Sequence, residues 1–199
     1  VEAAPPQADF SSAPALAVSD AGGSVTVTGT NFKLRIDKSE GMITSYAYKG
    51  PPLLERGPRP DYWRPVADND TGAWKAMRAF TGRDPKTNLR LWRDAGPRMK
   101  VQDVKIENQG ERTVRVSVTA ELHEMAGAKA SWTYLVQGSG DVIVESTYQP
   151  GTERRAMMPR FGTELIASAG LENFTWYGQG PVETQSDRQF ERIGVYRST

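Results

Sequence analysis

The segment Thr113-Val-Arg-Val-Ser-Val-Thr-Ala-Glu-Leu122 alternates polar and apolar side chains without a break. A period of two puts every second side chain on one face, which suits a half-buried β-strand and no helix. The same signature recurs along the chain. Ser24–Thr28, Phe32–Asp37, Met42–Tyr48, Met99–Ile106, Ala128–Val136, Val142–Tyr148, Arg160–Ala167 and Glu172–Tyr177 all read as extended, most of them rich in Val, Ile, Thr and aromatic residues. Short Gly-, Asn- and Pro-bearing turns separate them, and the chain spends 19 Gly and 13 Pro on such punctuation. Strands in quick succession, few helices and no alternating βα pattern give an all-β, antiparallel sandwich. No internal repeat supports a propeller or solenoid.

Leu53–Arg98 breaks the rhythm. Pro51 and Pro52 close the preceding strand, since neither can donate to a ladder. Pro58-Arg-Pro-Asp-Tyr-Trp-Arg-Pro65 follows, then the polar turn Asp68-Asn-Asp-Thr-Gly72. Asp70 and Thr71 offer caps for a short helix over 73–80. A second short helix starts near Thr87 and is stopped by Asp94-Ala-Gly-Pro97. An excursion this long in a compact domain is expected to be functional or interfacial.

The 199 residues carry 25 Lys+Arg against 24 Asp+Glu, one histidine and no cysteine. That balance excludes the strong basic excess with which a domain grips nucleic acid. Without a thiol there is no disulfide framework, zinc-thiolate site or cysteine nucleophile. Absence of Cys fits a periplasmic or secreted location slightly better than a cytoplasmic one. No window approaches the roughly 20 apolar residues of a bilayer span, so no membrane partner is expected. Residues 1–23, rich in Ala, Pro and Ser, read as an extended linker before a domain over 24–199, and they lack the basic start and apolar run of a signal peptide. The chain opens on Val rather than Met, which suggests a processed product or a piece of something longer.

Several groups have chemical potential, each with a plainer reading beside it. Asp68, Asn69 and Asp70 are spaced like the start of a calcium loop. Ala73 and Ala79 then stand where the glycine and the bidentate glutamate belong, so a turn held by Asx hydrogen bonds is the simpler assignment and no metal site is expected. Tyr62, Trp63, Trp74, Phe80 and Trp92, interspersed with arginines such as Arg64, suit domain docking, core packing or a sugar platform. In Trp176-Tyr-Gly-Gln-Gly-Pro181, Gly178 and Gly180 allow positive φ and close approach. Without a following Lys or a βαβ frame this is no phosphate loop. Glu183 and Asp187 have the chemistry of a glycosidase pair, although Asp187 beside Arg188 reads more simply as an ion pair. His123 is the one imidazole, and no G-x-S-x-G nucleophile frame exists.

Four ordered segments resemble the C-terminal, small-chain type domain of lac-type β-galactosidases, glycoside hydrolase family 2. Phe32-Lys-Leu-Arg-Ile-Asp-Lys-Ser-Glu-Gly41 with Ile43-Thr-Ser45 looks like that domain's opening hairpin. Tyr62-Trp-Arg-Pro-Val-Ala-Asp-Asn-Asp-Thr-Gly72 resembles its F-x-R-A-P-x-D-N-D-x-G segment, and Leu91-Trp-Arg-Asp-Ala-Gly96 its W-x-x-A-G. Pro159-Arg160-Phe-Gly162, Trp176-Tyr-Gly-Gln-Gly-Pro-Val-Glu183 and Asp187-Arg188 resemble P-R-x-G … W-x-G-x-G-P-x-E-x-Y-x-D-R. Gln185 stands where the family has tyrosine.

The resemblance implies a galactose-mutarotase-like β-supersandwich within an enzyme that hydrolyses terminal β-galactosides with retention. Its acid/base and nucleophilic glutamates lie on a barrel domain outside this chain, so no catalytic residue is assigned here. The family's Mg and Na ligands likewise lie mainly elsewhere, and no cofactor is expected on this chain. The implied partners are the remaining domains of the parent enzyme, a further subunit, and a β-galactoside or galactose. A stand-alone carbohydrate-binding module is the alternative. A mutarotase-like epimerase would need an acid and a base where only His123 is offered. Because the related domain runs longer, a sandwich incomplete at the C-terminus, with an open sheet edge, is expected.

Overall fold

A computed structural model describes residues 10–65, 88–182 and 190–199. The chain divides into two compact units, 1–166 and 167–199. The first is an antiparallel sandwich of two sheets. One has six strands in the order β1 (Ala17–Ala21), β2 (Ser24–Thr28), β3 (Phe32–Asp37), β4 (Met42–Tyr48), β5 (Pro52–Asp61) and β10 (Gly162–Ala167). The other is the meander β6 (Lys100–Asn108), β7 (Thr113–Glu121), β8 (Lys129–Gln137) and β9 (Val142–Gln149). A single helix among the described residues, α1 (Arg90–Ala95), precedes β6. The second unit contains the two-stranded hairpin β11 (Phe174–Gly180) and β12 (Arg192–Ser198). The expected all-β antiparallel class is observed, and neither sheet closes into a barrel.

Period-two patterning fixes which residues meet between the sheets. Val25 and Val27 of β2 and Phe32, Leu34 and Ile36 of β3 face Val114, Val116 and Val118 of β7 and Trp132, Tyr134 and Val136 of β8 across one dry core. In β4 the alternation slips. Ile43, Tyr46 and Tyr48 pack on the core, because the register against β3 shifts between Arg35 and Ile36 and leaves Thr44 as an extra residue. A one-residue bulge reverses the inward phase of everything beyond it.

The β3–β4 turn ties the layers together. Asp37 Oδ1 accepts from Ser39 N at 2.8 Å, Ser39 Oγ at 2.6 Å and Glu40 N at 3.0 Å. Those donors, the Ser39 hydroxyl foremost, hold the Asp37 carboxyl below its ordinary pKa. The turn delivers Gly41, at φ 65°, onto the opposite sheet. There the buried Trp132 Nε1 donates to the Gly41 carbonyl at 2.9 Å. Tyr134 Oη donates to the Pro58 carbonyl at 2.7 Å, a second link between sheets.

Three strands lie outside those expected. β1 falls inside the stretch read as linker and pairs fully with β2, from Ala17↔Thr28 to Ala21↔Ser24, around Gly22-Gly23 with φ 58° and 75°. Two central residues at positive φ make the tight turn that matches strand twist, and Gly-Gly was its signal. β5 runs through the expected Pro-rich excursion. It pairs with β4 at Pro52 and Leu54, and Pro58 and Pro60 lie beyond that stretch. β12 pairs with β11 along its full length. The helix expected over 73–80 lies outside the described residues. The one expected from Thr87 begins at Arg90, whose amide donates to Asn88 Oδ1 at 3.0 Å, and ends at Gly96 as the sequence indicated.

Two outcomes follow from this core. A Cβ at Gly41 would sit 2.5 Å from Val118 Cγ1 and 2.9 Å from Trp132 Cζ2, at a backbone angle alanine tolerates poorly. Gly41→Ala is therefore expected to cost about 2–4 kcal/mol in urea unfolding, and Trp132→Phe about 1–3 kcal/mol through the lost indole donor. Burial raises the pKa of Tyr62 and of Tyr134 above the ordinary 10.0. The folded chain then holds those phenol protons after the unfolded chain has begun to release them. Their contribution to stability is constant below pH 10 and falls as pH rises above it. Tyr62 Oη is buried without a hydrogen-bond partner among the described residues. Tyr62→Phe should leave the protein as stable or more stable at pH 7 and flatten the alkaline fall, read by unfolding midpoints across pH 8–12.

Candidate functional site

β5, α1, β9 and the approach to β10 converge on one aromatic cluster. Tyr62 follows β5 directly. Its ring centroid lies 5.9 Å from Trp92 of α1, 6.0 Å from Tyr148 of β9 and 6.0 Å from Phe161 just before β10. Trp92 meets Tyr148 edge-on at 5.8 Å. Tilted and edge-on pairs at these separations are the favourable arrangements of quadrupolar rings. Trp92 is 3% exposed and its Nε1 donates to the Ala156 carbonyl at 2.9 Å. Its ring and its polar atom are thus engaged within the fold, and Trp92 is a core residue of this chain.

Trp63 packs half-buried against the core, and its amide donates to Asp61 Oδ1 at 3.1 Å. The other oxygen of Asp61 lies 3.7 Å from Arg160 Nη1. Arg160 also spreads over Gly162, where a Cβ would stand 2.9 Å from its Nε. Arg64 donates to the Pro65 carbonyl at 3.0 Å. Tyr62 and Trp63 are thus brought near Trp92 and Arg160, which are distant from them in sequence. Glu164 on β10 pairs with Arg59 at 2.7 Å, and Glu153 with Arg155 at 2.8 Å. A shallow cleft of about 370 Å³ beside the cluster is lined by Trp92, Tyr148, Thr152, Glu153 and Arg155.

Trp176, Gly178 and Gly180 belong to the separate hairpin. The strand expected to end at Tyr177 continues through Gly180. Gly178 and Gly180 do not adopt positive φ; they are extended strand residues. Their lack of a side chain serves close approach alone. Trp176 stacks on Phe174 at 5.4 Å and on its cross-strand mate Tyr196 at 5.4 Å. A Cβ on Gly180 would meet Tyr196 Cδ2 at 2.8 Å and Trp176 Cζ2 at 3.1 Å. Tyr196 Oη donates to the Arg192 carbonyl at 2.7 Å, which fixes the ring over the glycines. Sequence reasoning missed Tyr196, although the alternation of Ile193 and Val195 just before it marks its strand.

Asp68, Asn69, Asp70, Glu183, Asp187 and Arg188 lie outside the described residues, as do Trp74 and Phe80. Among the described residues no three His, Asp or Glu side chains gather in a metal-binding arrangement, and no helix is long and apolar enough to cross a membrane.

Residues 28–199 match the family model described as β-galactosidase small chain. The β-galactosidase of Priestia megaterium is 34% identical over 176 residues, which cover 88% of this chain and 16% of that protein. Those of Lactobacillus delbrueckii subsp. bulgaricus and Clostridium acetobutylicum are each 30% identical, over 85% and 88% of this chain and 16% and 18% of their own length. The chain spans less than a fifth of these relatives, and the match runs through the packed motifs on both units. The chain belongs to the β-galactosidase small-chain family.

Proposed function

We propose that this chain is the first part of the C-terminal, mutarotase-like sandwich domain of a β-galactosidase that cleaves terminal β-D-galactosides with retention. Its role there is non-catalytic: to dock on the remaining domains, support the mouth of the active site and contribute subunit contacts. The observation that carries this reading is how the motif residues are used. Trp92 and Trp176 pack against other rings, Gly180 lies under Tyr196 and Trp176, and Arg160 faces Asp61 and covers Gly162. Among the described residues Glu164 is paired with Arg59 and Glu153 with Arg155.

A carbohydrate-binding role for the chain alone would rest on exposed rings such as Tyr177, which is 77% exposed. Titration calorimetry with galactose or lactose separates the two readings, and no heat at millimolar sugar is expected. On a chromogenic β-galactoside the 199-residue chain should show no turnover above buffer, while the complete natural polypeptide should cleave it. Turnover by the chain alone overturns the non-catalytic reading, whether it is lost in E183Q/D187N, which would make those carboxylates catalytic, or survives it, which would place the chemistry elsewhere.

A further inference from the structure

Residues 10–16 precede β1, which belongs to the six-stranded sheet. Their own contacts are with the four-stranded sheet. Leu16 N donates to the Glu111 carbonyl at 2.7 Å, and Arg112 Nη1 donates to the Ser11 carbonyl. Glu111 and Arg112 form part of the β6–β7 turn. Gly138, in the β8–β9 turn, lies against Pro14: a Cβ there would overlap the Pro14 carbonyl oxygen and stand 3.3 Å from Ala13 Cβ. Alternate turns of a meander lie at the same end, and Gly138 N donates to the Arg112 carbonyl at 2.8 Å, so the two turns are joined where the segment crosses them. The segment is shaped for that path. Ala13 N donates to the Phe10 carbonyl at 3.0 Å in a tight turn, Ala13 is 8% exposed, and Leu16 packs against the core.

We propose that residues 10–16 are a clasp: they hold the paired turns of the four-stranded sheet while β1 holds the six-stranded one, and they fix the point and direction at which the polypeptide preceding Phe10 meets the domain. A free segment rich in Ala, Pro and Ser would let a neighbouring domain swing. One pinned at Ser11, Pro14 and Leu16 transmits orientation instead. Ordering it costs conformational entropy, which the burial of Ala13 and Leu16 and the bonds to Glu111 and Arg112 offset. Held by local contacts at the end of the sheets, the clasp opens more readily than the core strands. Gly138 decides whether it closes. It does not adopt positive φ, so its backbone accepts alanine, and what the added methyl displaces is Pro14. The match to the β-galactosidase small-chain model begins at residue 28, so that likeness assigns nothing to this segment, and the clasp stands whether or not the natural polypeptide cleaves β-galactosides.

The chain has no cysteine, so two can be introduced for spin labels without interference. Ser12→Cys with Lys129→Cys, an exposed position at the far end of β8, places one label on the clasp and one on the sheet beneath it. Electron–electron double resonance should give a single narrow distance distribution, and Gly138→Ala should broaden it. In the unlabelled Gly138→Ala chain the Leu16 amide should exchange on the order of tenfold faster, with the central amides of β7 and β8 unchanged. A broad distribution in the chain with Gly138 intact overturns the proposal and makes the segment a tether. A narrow one that survives Gly138→Ala, with Leu16 exchange unchanged, also overturns it, because Pro14 then does not depend on Gly138. Leu16→Ser loosens the other end of the clasp and serves if Gly138→Ala does not fold: a broadened distance upholds the proposal and an unchanged one overturns it.

Discussion

The sandwich depends on one contact more than any other, the Trp132 indole against Gly41. The indole is buried, and its N–H would cost on the order of 1–3 kcal/mol if left unpaired. Its partner is a backbone carbonyl on the opposite sheet, reached because Asp37 gathers three donors and folds the β3–β4 turn inward. Gly41 has no side chain to keep the two apart. From that point the facing rows of Val, Ile and Leu on β2, β3, β7 and β8 close without a polar gap, and Tyr134 repeats the device at Pro58.

The segments that mark the family share this physics. Trp92 and Ala95 are buried, and Gly96 lies close enough to Pro60 that a Cβ would stand 3.2 Å from its carbonyl oxygen. Arg160 lies over Gly162, and Tyr196 with Trp176 lies over Gly180. In the last two cases a large planar group is set on a residue without a side chain, so among the described residues those glycines serve shape. A motif rich in Trp, Arg and Gly is as suited to fixing a surface against other domains as to touching a sugar.

The unequal sheets give the domain a direction. β10 and β5 present apolar side chains beside β9, the last strand of the smaller sheet among the described residues. Apolar side chains beside an unpaired edge are costly in water and favourable under a strand. The hairpin unit has a related character in isolation, with Tyr177, Ile193 and Val195 together on one exposed face.

Period-two alternation in Thr113–Leu122 and its counterparts determined the strands, their inward faces and the antiparallel class, because strand geometry makes side-chain direction a property of position alone. Ordered motifs determined the family. Other features rested on partners distant in the chain. Ala17–Ala21 has little intrinsic strand preference and became β1 only by pairing with β2. Pro52–Asp61 became β5 through its neighbours β4 and β10 in the sheet, despite its prolines. Trp63, Trp92 and Arg160 looked alike as candidates. The tertiary structure sorted them, since whether a ring faces water, a ligand or another ring depends on what packs over it, and for Trp92 those neighbours are Tyr62 and Tyr148.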